Sequence, residues 1–230
     1  MRLIHFRLCP YSRSIRLAFA ELGLDPALVE ERPWERRAGF LAVNPAGELP
    51  VLEFSDSRVL CGAYAISEFL AEEAAMSERD PRMIELFPGK ADERAEIRRL
   101  VDWFHGKLAR EVTLPMLAEK VYPRFQGGAA GQSHGGNPDV ELLRMLQASL
   151  RYHLGYISFL ADQRRWLAGD DMSFCDLAAA AHLSVLDYVA AVPWDDYPLA
   201  KSWYVRLKSR RAFRPLLADR VPGLPPPLAY

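Results

Sequence analysis

Residues 3–12 read Leu3-Ile4-His5-Phe6-Arg7-Leu8-Cys9-Pro10-Tyr11-Ser12, and this stretch decides the fold. Leu3 to Phe6 is an apolar run of strand length, and the thiol of Cys9 falls between that strand and a helix. The helix shows in Ile15, Leu17, Ala18, Phe19 and Leu22, and Gly23 closes it. Asp25-Pro26 turns the chain into a second strand, Ala27 to Glu30. A charged segment from Trp34 to Leu41 leads to the turn Asn44-Pro45-Ala46-Gly47. Leu49 to Phe54 and Arg58 to Leu60 read as strands joined by Ser55-Asp56-Ser57, and Ala63 to Ala75 as a helix. Strand, helix and strand, then a hairpin and a helix, predict a layered α/β domain over residues 1–76.

Beyond it the strand signals stop. Ser77, Asp80-Pro81 and Pro88-Gly89 mark a linker over 77–91, and an all-helical domain is expected over 92–220. Ile97, Leu100, Val101, Phe104, Leu108 and Val112 recur at helical spacing, with Pro115 expected to kink or end that helix. Gly127 to Gly136 is a glycine-rich loop, after which Asn137 is expected to cap a helix with Pro138 in its first turn. Leu142, Leu146, Leu150, Leu154 and Ile157 give that helix its buried side. In Met172-Ser173-Phe174-Cys175-Asp176, Ser173 is placed to cap the next helix while Asp176 reaches back to the cap's own N–H. Pro198 to Lys208 and Ala212 to Leu217 are the last expected helices, and residues 221–230 form a proline-rich tail.

The bulk composition excludes several classes. With 50% hydrophobic and 26% charged residues in 230, the chain is of globular type with room for a sizeable core. A formal net charge of −1 offers no bulk attraction to nucleic acid. No apolar run reaches membrane-spanning length, and residues 1–10 are too charged for a signal peptide, so a cytoplasmic protein with no membrane insertion is expected. Cys9, Cys61 and Cys175 are odd in number and far apart, which suits a reducing compartment. The five histidines share no ligand spacing, so no metal site is expected.

Two segments carry the chemistry. At a helix N-terminus the Cys9 thiol faces the positive end of the helix dipole, with Arg7 and Arg13 adding positive charge. An exposed thiol with a lowered pKa is the reading, against that of a cysteine that only packs. Ser12 holds the second position of a C-x-x-C spacing, so dithiol chemistry is excluded and single-cysteine chemistry with an external thiol is left. Pro50 stands directly before a strand, where a cis bond would aim the Leu49 backbone outward, though an ordinary trans strand start fits as well.

Taken together, Arg7 to Ser12 after a short strand, the segment Asn44 to Pro50, a helical second domain and the Ser173/Asp176 pair resemble the glutathione transferase superfamily. The resemblance covers nearly the whole chain, up to about Leu217. It implies a thioredoxin-like N-terminal domain plus an all-α C-terminal domain. Cys9-Pro10-Tyr11 is similar to the omega-type, cysteine-using members. That likeness implies a Cys9 mixed disulfide with glutathione, or a conjugating enzyme assisted by Ser12, with Leu49 holding the cysteinyl part by its backbone and Pro50 cis. Where glutathione-using members place Glu-Ser, this chain has Gly62 and Ala63. Two hydrogen-bonding side chains are gone, each worth about 1–3 kcal/mol toward a charged group. The implied site (Cys9, Leu49, Pro50, Gly62, Ala63) is degenerate, with no cofactor required and glutathione a weak ligand.

Cys61 to Tyr64, Arg110 to Thr113, Arg151 to Leu154 and Phe213 to Gly223 are similar to a narrower bacterial branch, division proteins that partner the tubulin-like filament protein FtsZ. This likeness implies a homodimer at the division site that acts as a binding platform. Trp34, Glu119 and Arg124, set in mixed aromatic and charged segments, are its candidate contact residues. Pro227 and Tyr230, in the tail, are candidates for an extended docking motif.

Overall fold

The computed structural model describes residues 1–76, 83–126 and 139–221. Its N-terminal half runs β1 (Arg2–His5), α1 (Pro10–Glu21), β2 (Ala27–Glu30), α2 (Ala38–Val43), β3 (Val51–Glu53), β4 (Val59–Cys61) and α3 (Ala63–Met76), with a 3-10 turn at Pro33–Glu35. The strands form one sheet in the order β2-β1-β3-β4, with β1 parallel to β2 and antiparallel to β3. Register aligns Leu3 with Leu28 on one side and Leu52 on the other. Leu3 and Leu52 join a core with Ile15 and Phe19 of α1 and Ile66 and Leu70 of α3, while Ile4 and Val51 pack in a second core with Phe40, Leu117 and Val185. Burial on both faces explains why the first strand reads as an unbroken apolar run rather than an alternating one. Gly23 ends α1 in the left-handed region (φ +66), which lets Leu24 donate to the Phe19 carbonyl at 2.8 Å as a Schellman cap.

The second half is helical: α4 (Ala91–Asp102), a wider π-type stretch (Trp103–Thr113), α5 (Leu114–Lys120), α6 (Pro123–Gln126), α7 (Val140–Gln163), α8 (Phe174–Tyr188), α9 (Pro198–Lys208) and α10 (Arg214–Ala218). Pro115 neither ends nor interrupts the long helix. It sits in the first turn of α5, directly after the wide stretch, where its missing N–H costs little. The cap of α7 is Asp139, whose carboxylate accepts from Glu141 and Leu142 N–H at 3.0 Å each, and not Asn137. Asn137, Pro138 and the glycine-rich loop lie outside the described residues. Arg211–Phe213 forms a 3-10 turn, so the last helix starts at Arg214 rather than Ala212.

Every residue of α8 is buried, and Ala178 to Ala181 let neighbouring helices approach closely. Asp176 holds its start in place. The buried carboxylate accepts from Ser173 N–H (3.1 Å), Leu167 N–H (3.0 Å) and Trp203 Nε1 (3.0 Å), joining α8, the turn before it and α9. The reach back from Asp176 to the cap N–H is therefore present, and the same side chain anchors two further segments.

The C-terminal segment is clamped onto the N-terminal domain by a buried arginine. Arg13, 2% exposed, donates to Ser184 Oγ (2.6 Å), the Leu216 carbonyl (3.1 Å) and Asp219 (3.1 Å). Arg16 contacts both oxygens of Asp219, at 2.8 and 3.1 Å. A guanidinium with this many acceptors fits a buried position that a lysine could not fill.

Candidate functional site

Cys9 is the N-cap residue of α1, and its Sγ accepts from Ser12 N–H at 3.5 Å. It lies 4.0 Å from the Leu49 carbonyl, and the Leu49–Pro50 peptide is cis. Gly62 N–H donates to the Pro50 carbonyl at 2.9 Å, which ties the N-terminus of α3 to the same spot. Five separated sequence positions (Cys9, Leu49, Pro50, Gly62 and Ala63) thus converge. Gly62 has φ +89, a conformation that side chains other than glycine's adopt at a cost, although no atom lies within 4 Å of where a Cβ would stand. Ala63 is buried, so that α3 offers only backbone N–H groups of its first turn to an anion here.

The thiol differs from the sequence reading. Cys9 is half-buried, and burial pushes its pKa up from 9.0, against which the hydrogen bonds from Ser12 and Tyr11 work in the lowering direction. Arg7 and Arg13 supply no offset, because both are spent elsewhere: Arg7 pairs with Glu30 and donates to the Arg220 carbonyl, and Arg13 holds Asp219. Ser12 is fully buried and its Oγ accepts from Phe6 N–H at 3.4 Å, which removes it from any contact with a substrate. The helix dipole alone does not overcome desolvation when the nearby cations are already paired.

A buried polar chain that sequence reading missed runs from α1 into the helical domain. Ser14 Oγ meets His105 Nε2 (3.1 Å), His105 Nδ1 meets His182 Nε2 (3.0 Å), and His182 Nδ1 meets Thr113 Oγ1 (2.9 Å). Burial holds His105 down to about 3 and His182 well below its ordinary value, so both stay neutral. Tyr11 caps this chain by donating to the His105 carbonyl at 2.9 Å, and burial raises its phenol to about 12. The signal available was that His105 and His182 each fall on the apolar face of their helix. Among the described residues no cluster of His, Cys, Asp or Glu could hold a metal ion.

Trp34 is not a protruding anchor. Its ring packs 5.0 Å from Phe6, 4.9 Å from Tyr122 and 5.7 Å from Phe125 in one half-buried aromatic cluster beside Cys9. Its indole N–H is buried with no acceptor. Two of its rings, Tyr122 and Phe125, lie in the same short segment as the other two candidates. Glu119 is half-buried and accepts from Asp139 N–H at 3.3 Å, while exposed Arg124 bonds the Lys120 carbonyl at 3.1 Å. Trp34 therefore joins the 119–125 surface through Tyr122 and Phe125. Pro227 and Tyr230 lie outside the described residues. No described helix is long and apolar enough to cross a membrane.

Known proteins resemble this chain over its full length. Residues 8–73 match the model of the glutathione S-transferase N-terminal domain, and residues 139–211 that of the C-terminal domain. The FtsZ-localized protein A of Caulobacter vibrioides is 44% identical over 99% of this chain and 95% of its own length. The solved structure of FzlA from C. crescentus superposes with a TM-score of 0.87 at 44% identity, covering 98% of this chain and 95% of that one. A glutathione S-transferase structure from Sinorhizobium meliloti gives 0.90 at 47% identity, covering 98% and 95%. With both domain models matched and 44% identity to the Caulobacter protein across nearly the whole chain, this chain belongs to the glutathione S-transferase superfamily.

Proposed function

We propose that this chain is a division-associated binding platform that engages FtsZ filaments, with little or no glutathione chemistry. The observation that carries the reading is its 44% identity over 99% of its length with a protein named for localising with FtsZ. The site geometry supports it from the other side. A thiol whose pKa is raised by burial is a poor nucleophile at neutral pH, and Gly62 and Ala63 offer an anion no side-chain donor. The contact surface on this reading is the edge formed by half-buried Glu119 and exposed Arg124, backed by the packed rings of Trp34, Tyr122 and Phe125. The protein works in the cytoplasm as a homodimer, so the patch occurs twice and bridges neighbouring filaments with added avidity.

Co-sedimentation with FtsZ filaments from the same organism tests this directly. Glu119→Lys combined with Arg124→Glu should abolish pelleting while circular dichroism and dimer size stay unchanged. Failure of the unaltered protein to pellet, together with turnover of a thiol substrate with glutathione, would overturn the proposal. The competing enzyme reading, a glutathione-dependent thiol transferase working through Cys9, draws on the placement of that thiol 4.0 Å from the Leu49 carbonyl beside a cis-proline.

A further inference from the structure

The far end of α1 carries a second concave surface. Ala20 and Glu21, with Arg210, Arg211 and Ala212 at the 3-10 turn after α9, line an open groove of about 590 Å³. A 12-residue helix is roughly 18 Å long, so this groove stands well apart from Cys9 at the start of α1. Ala20 and Ala212 are too small to fill it, and its polar character comes from the arginines.

Glu21 is already taken. Its carboxylate, 7% exposed, accepts on its two oxygens from Arg210 Nε (2.6 Å) and Nη2 (2.7 Å). This fork fixes the plane of the guanidinium and leaves Arg210 Nη1 without an acceptor among the described residues. Arg210 and Glu21 offset each other in charge. Arg211 is exposed, and its guanidinium has no hydrogen bond or ion pair among the described residues. Residues three apart in a 3-10 turn eclipse one another, which puts exposed Arg214, equally unpaired, on the Arg211 side.

Positive charge is concentrated here. Residues 198–218 contain six lysines and arginines and no aspartate or glutamate, in a chain of net charge −1. Four of the six are engaged: Lys201, Lys208 and Arg210 with carboxylates, and Arg206 over the Trp166 ring. Arg211 and Arg214 remain. One exposed arginine is ordinary, but two on one face, beside a third held in a fixed plane at an open concavity, suit an anionic ligand. Nucleic acid fits poorly, because its affinity grows with the number of phosphates neutralised and few cations here are free. A lipid surface fits poorly too, since residues 206–221 offer no exposed large apolar side chain to insert.

We propose that this groove binds an acidic segment of a partner protein, whose Asp and Glu carboxylates take the free N–H groups of Arg210, Arg211 and Arg214. Glu21 is a positioning residue that holds the Arg210 guanidinium in place for that contact. The groove is separate from the Glu119/Arg124 edge, and nothing in this assignment depends on FtsZ.

Fluorescence anisotropy with a fluorescein-labelled peptide of alternating glutamate and alanine tests it. The assay runs at about 0.1 M salt, where exposed charges more than about 10 Å apart are largely screened. The full-length protein should bind this peptide and not its glutamine–alanine counterpart. Arg211→Glu/Arg214→Glu should weaken binding at least about tenfold, equivalent to about 1.4 kcal/mol. Arg94→Glu/Arg144→Glu makes the same change in net charge at exposed arginines of α4 and α7, and should leave binding within about twofold. Arg211→Gln/Arg214→Gln introduces no negative charge and should weaken binding in the same direction, with circular dichroism unchanged throughout. Equal binding of the glutamate and glutamine peptides would overturn the proposal. So would equal losses in the two charge-reversed variants, which would mean bulk attraction. Labelled single-stranded DNA or phosphatidylglycerol vesicles that bind more tightly than the peptide through the same arginines would also overturn it.

Discussion

Asp176→Ala should be among the most damaging single changes outside the hydrophobic core. The carboxylate accepts three N–H donors at 3.0–3.1 Å from Ser173, Leu167 and Trp203, all buried. Alanine leaves those donors without an acceptor, at about 1–3 kcal/mol each, so a simple sum is about 3–9 kcal/mol. Two effects reduce it. Burial pushes the Asp176 pKa up, so its ionised form already carries a desolvation penalty that alanine relieves. Because the folded pKa is raised, this residue's contribution is fully present only below its unfolded value and is lost as pH rises through the folded one. Small rearrangements at the turn also let water reach Leu167 N–H. The net loss at neutral pH is then about 2–4 kcal/mol. Ser173→Ala removes only the cap side chain and should cost about 0.5–2 kcal/mol. Urea unfolding with both midpoint and slope fitted is the assay, and the double variant should fall short of the sum of the two, because the residues share contacts. An Asp176→Ala midpoint within error of the unaltered protein, at unchanged slope, would refute the assignment of Asp176 as the joint between α8, α9 and the preceding turn.

The remaining expectations concern pH, the thiol and glutathione. His5 is held down to about 4 and His105 to about 3, chiefly by burial, so the unfolded chain takes up protons that the folded one refuses between roughly pH 6.5 and those values. Stability should be fully present above pH 6.5 and fall as pH drops, by about 2 kcal/mol per histidine between pH 7 and 5; urea titrations at pH 7, 6 and 5 that show no loss would contradict neutral burial. Alkylation of Cys9 by iodoacetamide should show a midpoint above 9.0, read against Cys9→Ser, and a midpoint near 7 would mean the thiol is more open than this geometry allows. Calorimetry should give a glutathione dissociation constant no tighter than about millimolar, roughly 4 kcal/mol, and a micromolar value would restore the enzyme reading. Arg13→Met, which keeps length but removes the donors, should loosen Asp219 and lower stability by about 3–5 kcal/mol, measured by thermal or urea unfolding.

The one-dimensional chain already determined the order and type of nearly every element. Strand β2 and helix α9 fall where their turn and proline signals put them, and Asp176 reaches back to the cap N–H as its spacing from Ser173 requires. Signals of this kind act over three or four residues, so a single sequence contains them whole. Ionisation, exposure and partnership were decided only by tertiary packing. Cys9 is pushed up rather than down because Leu49 and the aromatic rings shield it while Arg7 and Arg13 are consumed by Glu30 and by Asp219, 206 residues away in the second case. The histidines that look isolated in sequence become a hydrogen-bonded pair across 77 positions, and Trp34 meets Tyr122 and Phe125 to form a surface that neither segment makes alone. A desolvation penalty depends on everything that surrounds a group, and that surrounding comes from remote segments whose approach no local pattern encodes.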